Sequence, residues 1–588
     1  MRLTVRSLVS LALLGGLSII SAHAGLTRDQ IRRIDRLFAP LNYPDIPGCA
    51  VGIIQDGTLV YERGFGMASL ESGLPNDVTT PFHIYSMSKQ FTAFCILLLA
   101  REGRLSLDDD VRKYIPEMPD YGRPITLRHL CHHTAGLRDY LALVYMAGKN
   151  TQLYRTEEGV LPLLARQKDL NFPVGEEHSY TNSGYLLLSL VVERVSGLTL
   201  REFADRRIFK PLGMKQTHFH DDYTEVVPYR AWGYYTKNDQ ETEFGLSFEP
   251  SNLVMGCGGM MSTVRDLLLW DRNFYHPIVG DASLIAEMQV PGKLNDGREC
   301  NYGLGLYLSR YNGLRTIGHS GAFGAFRSEW VQFPEANFSV IVLANYSEVN
   351  PGNFVYRIAD ICLSDRFREE ESGQKPPPDL KFVELPRSAL EDKVGSYRNT
   401  ETGSIYRFYI RGATLSVSTR SARFDLAAVS DTLFVGVNTP TDRYYRFEWK
   451  PQPEGGYHVQ ALYDGRREWL LVPQYTVEHT PDDLLQFAGE YYNDELEVVY
   501  RFEVEDDQLF VRQGEYRRGP LQPAPTERPE PSDVFRLGGT QYAFLRDAQG
   551  GVEGFKLHAG RVQNLRFQRV DASPAPLAGG TREGPAGH

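Results

Sequence analysis

Cysteine is scarce in this sequence, and the six that occur are scattered along 588 residues. So few cysteines exclude a fold held together mainly by disulfides. No two of them form a Cys-x-x-Cys pair, so zinc binding of that type is not indicated either. Cys49, Cys95 and Cys362 lie in apolar stretches and are predicted to be buried small side chains. The sequence alone assigns no disulfide.

Positively charged residues are fewer than negatively charged ones. The chain has 63 Lys and Arg against 74 Asp and Glu, which gives a net charge of -11 at pH 7. A surface of this kind repels polyanions, so nucleic acid and anionic lipid are not expected as partners.

Long apolar runs are lacking except at the N-terminus. Leu8 to Ile20 form one run of about 13 residues, preceded by arginines and followed by the small residues of Ala22-His23-Ala24. This pattern predicts a signal peptide over residues 1–24 and export to the periplasm or the exterior. The run is shorter than the roughly 20 residues that a membrane span needs. With no second run, we expect no stable membrane insertion.

What is present is ordinary globular composition, with 42% hydrophobic and 23% charged residues. The length exceeds one core and predicts two to four domains. Residues 25–365 mix the two kinds of element: Pro47 to Phe65 alternate around Asp56-Gly57 as in a hairpin, and Phe91 to Ala100 form an apolar helix. Two further strands are predicted on either side of a turn after Phe333. This block is predicted to be an α+β domain.

Beyond a proline-rich linker at 366–386, the sequence contains an internal repeat. Val394 to Asn399 match Ala488 to Asn493, and the similarity continues without a gap. The pattern is one of short alternating strands, so we predict two small antiparallel β-barrel domains at 387–478 and 479–570. The Pro, Ala and Gly tail at 571–588 is predicted to be disordered.

The first motif that carries chemistry is Ser86-Met87-Ser88-Lys89. At this spacing Lys89 stands one helical turn after Ser86, on the same face, where a neutral amine can activate the hydroxyl as a nucleophile. The unpaired amides of a helix start can stabilise an oxyanion. A chain this long holds roughly one or two Ser-x-x-Lys matches by chance, so further motifs are needed to support a catalytic role.

Two more motifs follow in the same block. Tyr180-Thr181-Asn182 offers a phenol that can relay the serine proton and an amide that can bind substrate. His319-Ser320-Gly321 precedes the last strand pair, and the amide of Ala322 can complete an oxyanion hole with that of Ser86.

Each of these motifs has a second match elsewhere in the chain. Tyr-x-Asn recurs at Tyr397 and Tyr491, which are equivalent positions of the repeat and are interpreted as structural. His558-Ala559-Gly560 is interpreted as a turn between barrel strands.

Together the three motifs resemble the serine β-lactamases and penicillin-binding peptidases, in particular the class C-like branch, peptidase family S12. Leu130 to Leu137 also resemble that family's Leu-x-x-His-Thr-Ser-Gly segment, and the resemblance covers Leu26 to Leu363. It implies a β-lactamase/transpeptidase-like domain without a cofactor. It also implies a covalent ester on Ser86, with Lys89 and Tyr180 sharing the proton.

The resemblance also assigns supporting roles. His319 polarises the site, Asn182 positions the substrate, and Gly321 and Ala322 lie beside the substrate at the oxyanion hole. The barrels resemble the C-terminal domains of bacterial D-aminopeptidases.

One departure bears on the substrate. Penicillinases and carboxypeptidases of the family usually have a lysine where this chain has His319, and that positive charge helps to hold a carboxylate. We therefore expect amide or ester hydrolysis of small molecules, short peptides or D-amino acid derivatives, of the D-aminopeptidase or esterase kind. The alternatives are a penicillin- or peptide-binding protein with little turnover, and a β-lactamase.

Two other segments suggest sites. His218 to Asp222 contain a metal-like cluster, but they follow a surface connection of the resembled family, and no metal is expected there. The proline-rich loop Gly519 to Ser532 carries Glu527 and Glu530. In the D-aminopeptidases a loop of the last barrel enters the cleft and helps to select a free amino end. An equally open alternative is a solvated loop without a role.

Overall fold

The computed structural model describes residues 25–148, 156–238, 243–247, 254–368, 380–402, 404–419, 423–437, 445–453, 455–463, 467–514, 516–527 and 531–570. The predicted signal peptide, most of the charged and proline-rich part of the linker, and the C-terminal tail lie outside the described residues.

Most helices belong to the first domain, and two short ones precede the barrels. In chain order they are α1 (Arg28–Phe38), α2 (Lys89–Arg101), α3 (Leu127–Cys131), α4 (Tyr140–Ala147), α5 (Glu157–Ala165), α6 (Asn182–Ser196), α7 (Leu200–Ala204), α8 (Lys210–Leu212), α9 (Val264–Tyr275), α10 (Ala282–Met288), α11 (Pro351–Cys362), α12 (Arg387–Glu391) and α13 (Pro481–Leu485).

The strands of the first domain are β1 (Cys49–Gln55), β2 (Thr58–Phe65), β3 (Met67–Ser69), β4 (Leu74–Pro75), β5 (Phe82–His83), β6 (His218–Phe219), β7 (Gly233–Thr236), β8 (Phe244–Ser247), β9 (Met260–Ser262), β10 (Tyr307–Tyr311), β11 (Leu314–Phe323), β12 (Phe326–Phe333) and β13 (Phe338–Ala344). Six of them form the main antiparallel sheet in the order β10-β11-β12-β13-β1-β2. The predicted hairpin is confirmed as β1 and β2, and the predicted pair near the end as β12 and β13.

The main sheet separates two apolar layers. Alternate residues of β1 point to opposite faces. Val51 and Ile53 pack with α1 and α11 on one side, whereas Ala50 and Ile54 pack with the helical layer on the other. Because both faces are covered, β1 is buried along almost its whole length. The helical layer contains α2 and α6, which are apolar over most of their circumference and correspondingly buried.

The two barrels follow the internal repeat. The first is a closed barrel of β14 (Gly395–Asn399), β15 (Ile405–Arg411), β16 (Thr414–Ser418), β17 (Arg423–Ala428), β18 (Leu433–Val437), β19 (Tyr445–Pro451), β20 (Tyr457–Tyr463) and β21 (Arg467–Gln474). The second is a nearly closed nine-stranded sheet of β22 (Gly489–Asn493), β23 (Val498–Glu505), β24 (Gln508–Gln513), β25 (Tyr516–Pro520), β26 (Gln522–Pro523), β27 (Val534–Leu537), β28 (Thr540–Arg546), β29 (Val552–Ala559) and β30 (Val562–Val570).

The predicted α+β domain and the two β-barrel domains are thus confirmed as a fold class. The repeated Tyr-x-Asn segments are β14 and β22, the first strand of each barrel. Tyr397 and Tyr491 are buried there, and the Tyr491 hydroxyl donates to the carbonyl of Phe487 at 2.9 Å. Their interpretation as structural residues is therefore confirmed.

The second barrel docks onto the first domain through buried polar contacts. Arg138, just before α4, forms an ion pair with Glu495 at 2.7 Å, and the two side chains are 0% and 5% exposed. The same guanidinium donates to the carbonyls of Gln563 and Asn564 in β30, both at 3.1 Å. These contacts hold the β29–β30 end of the barrel against the first domain.

All six cysteines are free thiols, and Cys49 and Cys95 are fully buried as predicted, whereas Cys362 is partly buried. Within the described ranges no single helix is long and apolar enough to cross a membrane. The bent pair formed by Asn182–Ser196 and Leu200–Leu212 meets that criterion only when the two helices are taken together.

Candidate active site

Ser86 lies in a single turn of 3₁₀ helix, Tyr85–Ser88, that runs directly into α2. The helix start predicted for Ser86 is therefore present, with α2 itself beginning at Lys89. Tyr85 has a φ of 43°, a left-handed conformation that is costly for a non-glycine residue, by roughly 1–3 kcal/mol. Backbone strain directly before Ser86 is typical of a functional turn.

Lys89 reaches back over this turn with its side chain fully buried. Its Nζ atom lies 3.2 Å from Ser86 Oγ and 2.9 Å from Asn182 Oδ1, and it donates to the carbonyl of Cys257 at 2.6 Å. Burial lowers the pKa of the Lys89 ammonium to about 8, so a useful fraction is neutral near neutral pH. A neutral amine at this distance can accept the proton of the Ser86 hydroxyl.

Tyr180 stands just before α6, with its ring centroid 4.9 Å from Lys89 Nζ. Its hydroxyl oxygen is buried and makes no hydrogen bond of normal geometry among the described residues. Burial raises the pKa of the Tyr180 phenol, and the neighbouring Ser86 hydroxyl lowers it only in part. The phenol is therefore protonated at neutral pH and is suited to donating a proton rather than to taking one as a phenolate.

Two histidines of the resembled Leu130–Leu137 segment lie beside Tyr180 and Tyr302. The His133 ring packs on Tyr180 with 4.3 Å between centroids, and its Nδ1 accepts a hydrogen bond from the amide of Thr181 at 3.3 Å. His132 Nδ1 lies 3.2 Å from the carbonyl of Tyr302. Burial lowers the pKa of the His133 imidazole well below its ordinary value, so the ring packs on Tyr180 as an uncharged group.

His319 lies on β11 and is buried. Its Nδ1 donates to the carbonyl of Ser320 at 2.6 Å, which leaves Nε2 to accept from the Tyr302 hydroxyl at 2.9 Å. Burial, and secondly the charge of Lys89, lower the pKa of the His319 imidazole to about 3. At neutral pH the ring is uncharged and both its nitrogens are engaged, so it holds Tyr302 and supplies no cation.

Gly321 brings β11 against the nucleophile turn. A Cβ atom at this position would lie 1.9 Å from the carbonyl oxygen of Ile84, two residues before Ser86. That carbonyl also accepts a hydrogen bond from the Ser328 hydroxyl at 2.9 Å. Strand β12 pairs with one edge of β11, and β10 pairs with the other edge only as far as Gly318. At Ala322 that second edge therefore has no partner among the described strands. Only glycine permits this approach, which places the Ala322 segment beside Ser86.

Asn182 begins α6, and both its side chain and its backbone amide are hydrogen-bonded. The Oδ1 atom accepts from Lys89, while the backbone amide donates to the carboxylate of Asp139 at 2.8 Å. Asp139 caps α4, is 3% exposed, and was not singled out by the sequence analysis. Its only signal in the sequence was its place before an apolar helix, where an acidic cap is common.

The second barrel contributes a residue to the site that no sequence motif indicated. His558 and Ala559 end β29, and Gly560 begins the turn to β30, so this match does lie at a connection between barrel strands. The following residue, Arg561, extends from this turn over the Tyr180 ring, with 4.8 Å from its guanidinium carbon to the ring centroid. No local pattern marks Arg561, because the contact depends on how the barrel docks.

The metal-like cluster brings His218, His220 and Glu225 together. His218 Nε2 and His220 Nδ1 lie 3.1 Å apart, with the Glu225 carboxylate 3.8 and 3.6 Å from these two atoms. Arg201 binds both Glu225 oxygens and also Asp221, so these acids already have a cationic partner. The expectation that no metal binds here stays a prediction.

The proline-rich loop is tied to the first barrel where the structure describes it. Thr526 exchanges two backbone hydrogen bonds of 2.8 Å with Tyr475, and Glu527 is paired with Arg398. Glu527 is therefore engaged outside the Ser86 site, and Glu530 lies outside the described residues. Among the barrel turns that the structure describes, the one bearing Arg561 reaches the site.

Comparison with known proteins agrees with this geometry. A D-aminopeptidase of Cereibacter sphaeroides (strain ATCC 17029 / ATH 2.4.9) is 32% identical over 305 residues, 51% of this chain and 57% of that protein. A penicillin-binding protein of Bacillus subtilis (strain 168) is 29% identical over 356 residues, 58% of this chain and 77% of that protein. The chain thus spans little more than half the length of the D-aminopeptidase it matches.

A solved structure supports the fold. The octameric penicillin-binding protein homologue from Pyrococcus abyssi superposes with a TM-score of 0.50 at 24% identity, over 75% of this chain and 99% of that chain. In sequence, the model of the family described as Beta-lactamase matches residues 34–360, more than half of the chain and all of the residues assembled around Ser86 in the first domain. The chain belongs to this beta-lactamase family.

Proposed function

We propose that this chain is a serine hydrolase that forms a covalent acyl-enzyme on Ser86. Its substrates in this proposal are amides or esters of small peptides or D-amino acid derivatives. The observation that carries the proposal is the buried Lys89 amine 3.2 Å from Ser86 Oγ, with a pKa lowered to about 8 by burial. An amine so placed supplies the base that a serine hydroxyl needs.

The reaction follows from the contacts. Ser86 Oγ attacks the substrate carbonyl as its proton passes to neutral Lys89, and the carbonyl oxygen becomes an oxyanion. The backbone amides of Ser86 and Ala322 are the proposed donors to that oxyanion. When the tetrahedral intermediate collapses, the bond to the leaving group breaks and the proton passes to the leaving atom from Lys89 or through Tyr180. Water then attacks the ester, activated by the same base, and releases Ser86.

Supporting residues hold this arrangement. Asn182 accepts a hydrogen bond from Lys89 and fixes where its amine points, and in this proposal the same amide also binds a substrate carbonyl or N–H. His319 acts through Tyr302, because its ring nitrogens are both occupied. In this proposal the substrate-facing edge of β11 runs from Gly321 to Ala322.

The matched relatives support the choice of substrates. Several are D-aminopeptidases, although the chain spans only part of their length. A rival proposal is a penicillin- or peptide-binding protein that is acylated but turns over slowly, in line with the penicillin-binding relative. The two proposals differ in the lifetime of the acyl-enzyme.

The test combines labelling with turnover. Purified protein is treated with a fluorescent fluorophosphonate, then assayed on D-amino acid amides, p-nitrophenyl esters and a chromogenic β-lactam. We expect label on Ser86, turnover of amides or esters, and loss of both in Ser86→Ala. Ser88→Ala is a matched control, because this serine lies in the same turn and its buried hydroxyl has no partner among the described side chains. A stable adduct without turnover favours the binding protein, and no label on wild type contradicts both.

We also propose that the protein works after export, on the strength of residues 1–24 alone. Fractionation of the native host with an antibody, together with the N-terminal sequence of the mature protein, tests this. Cleavage before Gly25 is expected, and a cytoplasmic full-length chain contradicts it.

A further inference from the structure

The turn between β29 and β30 is fixed to the first domain through its backbone. The carbonyl oxygen of Arg561 accepts hydrogen bonds from the Asp139 amide at 3.2 Å and from Asn171 Nδ2 at 3.0 Å. The start of β30 is held as well, because the amide of Gln563 donates to Asn171 Oδ1 at 2.8 Å. A residue held on both sides in this way has a defined position at the cleft.

The Arg561 side chain then extends beside the proposed proton donor. Its guanidinium lies over the Tyr180 ring and forms an ion pair with the Asp139 carboxylate, in which Nη1 and the carboxylate oxygen are 3.6 Å apart, too far for a hydrogen bond. The Arg561 side chain is 48% exposed, whereas Asp139 is only 3% exposed. The Asp139 oxygens already accept three backbone amides at the starts of α4 and α6. A substrate at this point therefore meets the guanidinium and not the acid.

The position of Arg561 indicates which part of a substrate it faces. This step rests on the proposed function. The group that returns the proton to the leaving atom lies on the leaving-group side of the scissile bond. Tyr180 and Lys89 are those groups, and Arg561 covers Tyr180. A guanidinium at this place is adjacent to the leaving portion and not to the acyl portion.

A second observation also points to Arg561 as the group that binds an anionic substrate. Where related enzymes place a lysine in the third motif, this chain has His319, which is uncharged at neutral pH and fully hydrogen-bonded. The third motif thus supplies no positive charge for an anionic substrate. The barrel supplies one instead, as a planar donor that suits bidentate binding of a carboxylate.

We propose that Arg561, delivered by the second barrel, selects substrates whose leaving portion carries a carboxylate and disfavours those with an ammonium group there. The catalytic domain performs the acyl transfer, and the barrel sets the charge of the leaving group. This makes Arg561 a specificity-determining residue for the proposed reaction, contributed by a domain outside the family match at 34–360.

Three thioesters of one acyl group, N-acetyl-D-alanine, test the proposal in the full-length protein. Their leaving thiols are thioglycolate, thioglycolamide and thiocholine, which end in a carboxylate, a carboxamide and a quaternary ammonium group; the quaternary nitrogen cannot attack its own thioester. Released thiol gives kcat/KM for each. We expect wild type to prefer carboxylate over carboxamide, and carboxamide over ammonium. Arg561→Gln should lower the carboxylate-to-carboxamide ratio about 10- to 100-fold, the loss expected for one charge-assisted hydrogen bond.

Two further variants sharpen the result. Arg561→Glu should reverse the order, so that the thiocholine ester becomes the best of the three. Arg566→Ala is the matched control, because Arg566 lies five residues further along, is 53% exposed, and pairs with Glu553 on β29. It should leave all three ratios as in wild type.

The outcomes separate the two proposals. If wild type hydrolyses all three thioesters without discrimination, or Arg561→Gln slows all three equally, Arg561 only supports Tyr180 and the specificity proposal is overturned. If wild type hydrolyses none and Ser86 takes no fluorophosphonate label, the proposed function fails, and the specificity proposal with it. Should Arg561→Gln unfold, the wild-type ratio and its decrease at high salt remain decisive.

Discussion

Arg138 and Glu495 form an ion pair, 2.7 Å long and almost fully buried, between the first domain and the second barrel. Arg138 also donates to two carbonyls of β30, so one side chain joins the cap region of α4 to the strand that follows Arg561. The two charges are desolvated together, and neither can be removed without leaving the other buried alone.

Arg138→Ala is therefore expected to destabilise the docked barrel by about 3–5 kcal/mol, because Glu495 is left as an uncompensated buried charge. Thermal unfolding followed by fluorescence should show an earlier transition. Lys168→Ala is the control, since Lys168 pairs with Asp494 at the same interface but is 63% exposed. Equal effects of the two substitutions would contradict the assigned importance of the buried pair.

The pH dependence of turnover follows from Lys89. Its pKa is about 8, lowered by burial, and only the neutral amine can take the Ser86 proton. Because the ammonium form predominates below this pKa, kcat/KM should rise about tenfold per pH unit from pH 6 to 7 and level off above pH 9. Activity is lost as the pH falls. Initial rates in constant-ionic-strength buffers measure this, and a flat profile from pH 5 to 9 contradicts Lys89 as the base.

The Tyr180→Phe variant should lose activity without losing stability. The substitution removes a buried hydroxyl that makes no hydrogen bond of normal geometry in the described part of the chain, so Tm should stay the same or rise slightly. Loss of the proton donor should lower kcat about 100- to 10,000-fold.

Tyr491→Phe is the matched control, at the same motif in the repeat. Its hydroxyl donates to the Phe487 carbonyl, so this variant should lose stability and keep its turnover. A Tyr180→Phe variant that turns over normally would remove Tyr180 from the mechanism.

Much of the first domain could be predicted because its signals are local. The turn at Asp56-Gly57 specified a hairpin, and the spacing of Ser86 and Lys89 placed both on one helix start. The repeat predicted two similar barrels, since aligned sequences occupy equivalent strands. In each case the residues concerned are close in sequence, or are copies of one another.

The parts that could not be predicted depend on distant contacts. The carbonyl of Cys257 binds Lys89 from 168 positions away, and a carbonyl offers no sequence signal. Arg138 and Gln563 are 425 positions apart and meet only when the barrel docks. Arg561 is the clearest example, because its role depends on the docking of its turn and not on its neighbours.

The close approach of β11 to the turn that carries Ser86 gives the last prediction. Gly321 has no positive φ, so alanine is conformationally permitted there, but its Cβ would lie 1.9 Å from the Ile84 carbonyl. Strand β11 must then move away from the nucleophile turn, which costs about 1–3 kcal/mol and displaces Ala322 from Ser86. Because a shift of about 1 Å can cost 100-fold in rate, Gly321→Ala should lose that much kcat/KM or more while remaining folded by circular dichroism. Gly539→Ala is the control, with nothing within 4 Å of its Cβ. If both variants keep wild-type turnover, β11 does not help to form the oxyanion hole.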